Sequence, residues 1–222
     1  MPSLSANPYP WPYDGELDGG RLALVIAGGQ CQFVDASYGS QLAAAAIAAL
    51  ADAVRSSGGW LVHLRHGRPL PSTTASLHAL MTASMPASPA ATARARPSVP
   101  TVASDGWQPK GVPDAPDLVV DCRGFDGCYG SLLEHELQNA GRDRILLAGY
   151  ACEVTVDSTV RTLNDRGFEC LVVVDACAPL DPYTGAHAHA SLTMSGGIFG
   201  ALASTSEVVA LLSKLTPAPE ET

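Results

Sequence analysis

Basic residues are scarce in this chain. Lys and Arg number 13 against 22 Asp and Glu, so the formal charge is −9. That sign opposes the neutralisation of phosphates on which nucleic-acid binding rests, and a general nucleic-acid binder is excluded. Charge of both signs is low, at 16% of residues, yet no apolar run reaches the roughly 18 residues of a membrane span. No membrane partner is expected. The segment from Met1 to Leu17 is rich in Pro, Tyr and acid and lacks the basic-then-apolar order of a signal peptide, which points to the cytoplasm. No C-x-x-C pair occurs among the six cysteines, so a structural zinc site is not expected. Spread singly along the chain, the cysteines read as reduced thiols. No cofactor is called for.

What is present describes an α/β protein. Hydrophobic residues make up 46% of 222 positions, enough for one sizeable core. Leu22 to Ala27 is a short apolar run ending at Gly28-Gly29, the pattern of a buried parallel strand meeting a turn. Gln41 to Arg55, with four consecutive alanines, reads as a helix lying close on a sheet. Further strands are expected at Trp60 to Leu64, Leu118 to Asp121, Ile145 to Ala148 and Glu169 to Val174, with helices at Leu132 to Ala140 and Thr155 to Asp165. Such alternation implies right-handed crossovers and a doubly wound, Rossmann-like three-layer sandwich. The expected organisation is an arm at 1–20, a single domain at 21–215 and a tail at 216–222. A Pro-, Ala- and Ser-rich excursion at 69–116 is either a functional lid or poorly ordered, and its Trp107 is the residue to hold it against the body.

Sites in such sheets form at the C-terminal ends of strands. The candidate loops are therefore those at Gly28, Asp121-Cys122, Gly149 to Thr155 and Asp175. The residues at these places, with Asn7-Pro-Tyr-Pro-Trp-Pro-Tyr-Asp-Gly15 before them and Asn164-Asp-Arg-Gly-Phe-Glu-Cys170 and Ser195-Gly-Gly-Ile-Phe-Gly200 after, resemble the isochorismatase-like cysteine hydrolase family. Within it the likeness is to the branch containing biuret hydrolase, and it runs from about Pro8 to Leu212.

That family works with an Asp, a Lys and a Cys: the acid takes the thiol proton, the ammonium holds the charges and the sulfur attacks an amide carbonyl. By the resemblance, Asp-x-Gln falls on Gly28-Gly29-Gln30, the lysine position on Cys122, and the nucleophile on Thr155 in Gly149-Tyr-Ala-Cys-Glu-Val-Thr155. Base, cation and nucleophile are absent together, so ordinary family hydrolysis is expected to be lost. The branch that uses its Asp without the cysteine is excluded by Gly28 as well.

Several groups stand in for them. Thr155 reads either as an N-cap or as a nucleophile without a base. Cys152, Cys31 and Cys122 read either as small fillers of a pocket that lost its charges or as reactive thiols, with Arg123, His63, His66 and Arg65 as the available cations or bases. Glu153 and Asp35 are the nearest acids, in a chemical or a capping role. The free amides at the start of the Thr155 helix are expected to form an anion site beside Tyr150 and Ala151. Gln30 completes the pocket list, and the loss of a side chain at Gly28 is expected to open space. His187 and His189, expected in a loop after Asp181-Pro182, are a weak metal signal. The resemblance also implies a homo-oligomer, with Tyr9, Trp11, Tyr13, Ile198 and Phe199 near its contacts.

Three functions follow. One is a repurposed non-hydrolytic enzyme (cyclase, isomerase or lyase type) acting on a small organic molecule, where orientation supplies the acceleration. Another is a pseudoenzyme that binds a ligand or partner. The third, an atypical amidohydrolase using Thr155 or Cys152, needs a rebuilt triad.

Overall fold

The computed structural model describes residues 3–67 and 99–215. Most of the 69–116 excursion, including Leu77 to Met81, and the 216–222 tail lie outside the described residues. Six parallel strands form one sheet in the order β3-β2-β1-β4-β5-β6. They are β1 Leu22–Ala27, β2 Trp60–His66, β3 Leu118–Cys122, β4 Arg144–Tyr150, β5 Glu169–Ala178 and β6 Ala201–Ala203. The helices are α1 Cys31–Ala36, α2 Ser40–Ser56, α3 Leu133–Asn139, α4 Thr155–Asp165, α5 Pro182–Leu192, a kinked turn α6 Met194–Gly197, and α7 Thr205–Leu212. None of these is long and apolar enough to cross a membrane.

Burial on both faces accounts for the unbroken apolar strands. Leu22, Leu24 and Ile26 of β1 join α1, α2 and α7 in one core, whereas Ala23, Val25 and Ala27 join α3 and α4 in the other. On α2 the buried set is Ala43, Ile47, Leu50, Ala51 and Val54, one helical stripe. Burial of Ile47 or Leu50 contributes about 2 kcal/mol each. The alanines of α2 let its backbone lie close to the sheet.

Residues from Leu4 to Trp11 pack against one another and against the sheet. Trp11 is fully buried, Leu4 pairs with Trp11, and Asn7 pairs with Leu202 of β6. Tyr13 is exposed. Trp107 does hold the 99–116 segment to the body, its ring lying under the Arg65 guanidinium at 4.1 Å. The loop expected around His187 and His189 is instead helix α5: Asp181 caps it by accepting from the Tyr183 and Thr184 amides, and Pro182 sits in its first turn. Two residues apart on a helix, the two imidazoles do not share a face. Among the described residues no group of His, Cys, Asp and Glu is arranged to hold a metal ion.

Candidate functional site

The C-terminal ends of β1, β3 and β4 bring the expected positions to one region, and the structure places Gly28 directly beside Thr155. A Cβ on Gly28 would stand 3.3 Å from Thr155 Cγ2, 3.4 Å from Phe33 Cδ2 and only 2.8 Å from the carbonyl oxygen of Tyr150. The backbone there is left-handed, with φ +68, which glycine adopts without strain. The expectation that Gly28 opens space is overturned: Phe33 and the 150–155 turn occupy its surroundings.

Thr155 is fully buried and is the first residue of α4. Its hydroxyl donates to the Tyr150 carbonyl at 2.6 Å and accepts no first-turn amide, so the N-cap reading is corrected; Val154 occupies that position with no side-chain cap. Four of the amides around the expected anion site are already taken. Ala151 N donates to Ser37 Oγ at 2.9 Å, Cys152 N to the Ala178 carbonyl, and Val154 N and Thr155 N to the Ala151 carbonyl. These four amides are spent inside the protein. Ala151 is held left-handed at φ 50, an unfavourable conformation for a residue with a Cβ.

Cys122 packs against β2. Its Sγ lies 3.1 Å from His66 Nδ1 and also within reach of the Arg65 and Gly124 carbonyls. His66 Nδ1 is 2.9 Å from the Gly124 carbonyl, so that nitrogen carries the proton and donates. Burial lowers the His66 pKa to about 4 and pushes the Cys122 thiol up to about 12. Both groups are neutral near pH 7, and among the described residues the thiol has no base to activate it. The Phe33 ring, 5.9 Å from His66 and 6.4 Å from Phe125, extends the apolar filling from Gly28 toward this pair.

The remaining candidates are held by structural contacts. Gln30 is fully buried, its Oε1 accepting from His66 N and its Nε2 donating to the His66 and Trp107 carbonyls. Cys152 is buried, and burial, then the Glu153 charge, raises its thiol to about 12. Glu153 accepts from the amides of Leu180 and Asp181 and from Thr184 Oγ1; it braces the start of α5. Asp35 pairs with Lys110 at the surface. Arg123 is exposed and leans over Gly130, outside the site. Cys31 is half-buried, and its amide donates to the Gln108 carbonyl. Tyr150 is buried with its hydroxyl donating to the Gly111 carbonyl, and burial raises its pKa to about 12. Asp175 accepts from Thr205 N and Oγ1, bracing α7.

Sequence reasoning missed Phe33, Ser37 and Lys110. Ser37 carries no motif; it reaches Ala151 only through the fold.

Residues 22–207 match the family described as Isochorismatase domain. An uncharacterized isochorismatase family protein, YecD of Escherichia coli O157:H7, is 34% identical over 62 residues, 28% of this chain. The match spans 33% of that protein's length. The fold is similar to that of a cysteine hydrolase from Pseudomonas syringae pv. phaseolicola 1448A, at TM-score 0.74 and 16% identity, covering 97% of this chain and 99% of the other. An isochorismatase family protein from Burkholderia thailandensis is similar at TM-score 0.68 and 21% identity, covering 88% and 97%.

Proposed function

The chain belongs to the isochorismatase family, and on that premise we propose that it lacks the family's hydrolase triad and serves as a pseudoenzyme that binds a ligand or partner. One observation carries the reading. At the positions matched to base and nucleophile, Gly28 is walled by Phe33 and the Tyr150 carbonyl, and the Thr155 hydroxyl is already donated to that same carbonyl. A nucleophile needs a base to take its proton and a free approach to substrate. Thr155 has neither.

The second reading is a repurposed non-hydrolytic enzyme of cyclase, isomerase or lyase type. The approach of Cys122 Sγ to His66 Nδ1 favours it. Against it stand the raised thiol and lowered imidazole, which leave both groups uncharged. The likeness to the biuret hydrolase branch, and the homo-oligomer that it implies, belong to the same proposal. Exposed Tyr13 and Ile198 support surfaces free for such contacts.

The test is turnover. Purified protein is expected to release no ammonia above background from biuret, ureidoacrylate or nicotinamide. Ammonia release that survives repurification and scales with this chain would overturn the non-hydrolytic reading.

A further inference from the structure

A cavity of about 400 Å³ lies against β1, β2 and β3; Gly29 is in its lining, but neither Gly28 nor Thr155 is. Ile26, His63 and Val119, in register across β1, β2 and β3, all line it, and so does the loop from Pro109 to Pro116. Much of that lining is apolar. The polar members are His63, Arg65, Lys110 and Asp114.

The charge at this cavity runs against that of the whole chain. Arg65 is fixed in place by Asp121 at 2.6 and 2.9 Å and by stacking on Trp107. Lys110 pairs with Asp35, but both groups are exposed, and such a pair is weak enough for the ammonium to change partners. Neither Asp121 nor Asp35 lines the cavity. Burial lowers the His63 pKa, and Arg55 and Arg65 lower it further against an opposing effect from Asp114, so the field at His63 is net positive. Among the described residues seven buried side-chain nitrogens have no hydrogen-bond partner, and His63 Nε2 is the one that belongs to a residue lining the cavity; a buried polar group without a partner calls for an explanation.

We propose that this cavity binds a small organic monocarboxylate. Its apolar body lies on Ile26, Val119 and the prolines, and its carboxylate faces Lys110, Arg65 and His63. A cation is disfavoured by the lining. A dianion exceeds the available charge, because Arg65 already holds a carboxylate. An inorganic anion leaves the apolar floor unused. The proposal does not depend on the pseudoenzyme reading, since none of the positions matched to the hydrolase triad lines the cavity.

The experiment is an amide NMR titration of the full chain with benzoate, with benzamide, benzylammonium and acetate as comparators. Benzoate is expected to give saturable shifts centred on His63, Lys110 to Val112 and Val119. Benzamide and acetate should bind at least about tenfold more weakly, the loss expected when a charge-assisted contact or an apolar one is removed. Lys110→Gln should weaken benzoate to a similar degree while leaving benzamide unchanged. Val119→Glu, at an edge position that is 45% exposed, should abolish benzoate binding. If Val119→Glu fails to fold, Lys110→Gln at the surface carries the same decision. Equal binding of benzoate and benzamide, shifts centred elsewhere, or no saturable shift at millimolar benzoate would each overturn the site. Ammonia assays on the same samples report on the hydrolytic question separately, so the two proposals stand or fall independently.

Discussion

The Thr155 hydroxyl and the space beside Gly28 meet at one atom, the carbonyl oxygen of Tyr150: the hydroxyl donates to it at 2.6 Å, and a Cβ on Gly28 would press against it at 2.8 Å. Placing a carboxylate at position 28 therefore sets acceptor against acceptor in a backbone conformation suited to glycine. Gly28→Asp is expected to destabilise the fold by about 2 kcal/mol, from left-handed strain and an unmatched acceptor. In a chain of this size that lowers the melting temperature by roughly 5 °C. The triple variant Gly28→Asp, Cys122→Lys, Thr155→Cys should fold poorly and hydrolyse little. Robust ammonia release by it would show an intact family site and defeat the prediction.

The buried thiols give a second check. Cys122, Cys152, Cys170 and Cys177 are buried, while Cys31 and Cys128 are half-buried. Burial, with no neighbouring cation among the described residues to hold a thiolate, keeps the Cys122 and Cys152 pKa values near 12. In a timed reaction with a disulfide reagent at pH 7.5, Cys31 should react first, and Cys122 and Cys152 only with unfolding. Fast modification of either buried thiol in native protein, located by peptide mass, would mean an open and activated pocket.

His66 makes stability depend on pH. Its folded pKa is about 4 against an ordinary 6.5, so between those values the unfolded chain binds a proton that the folded chain does not. Stability is complete above pH 6.5 and is lost as pH falls toward 4, on the order of 3 kcal/mol across the window. His66→Asn, which keeps a donor for the Gly124 carbonyl, should flatten the slope. Urea unfolding at pH 7 and pH 5 for both proteins measures it, and equal slopes would refute the assignment.

Glu153 is a structural acid in the present geometry. Glu153→Ala removes the acceptor for the Leu180 and Asp181 amides and for Thr184 Oγ1, with an expected loss of about 2 kcal/mol. Glu153→Gln should recover part of that loss. Hydrogen exchange localised to the start of α5 separates this role from one in chemistry, which would leave α5 protection unchanged.

Five strands were legible because each is a short apolar run bounded by turn residues; β1, β4 and most of β5 are buried on both faces, whereas the edge strand β3 leaves Val119 and Asp121 exposed. The sixth, Ala201–Ala203, is three small residues with no periodicity to read. Helix α5 carries a start signal in Asp181-Pro182, a capping residue followed by proline, and the loop expected around His187 and His189 leaves that signal unused. At the candidate site, the adjacency of Gly28 and Thr155 followed from the family resemblance together with the rule that sites form at the C-terminal ends of strands. What sequence order did not reveal is that the space between the strands is filled, because Phe33 comes from α1 and Ser37 follows it, and only the fold brings either to the 150–155 turn. Lys110 sat inside a stretch of low complexity, and its place beside the outer strands depends on Trp107 docking.

The pairing of Asn7 with Leu202, through Asn7 N to the Leu202 carbonyl at 3.0 Å and Leu202 N to the Asn7 carbonyl at 2.8 Å, gives the sheet a polarity of growth. Strand β6 is covered on its outer side by the chain's own beginning, so an extended peptide finds its hydrogen-bonding groups partly taken. At the other margin β3 pairs only with β2 among the described residues. Among the described residues strand-wise association thus has one margin to use, and removal of the residues through Trp11 would give it two.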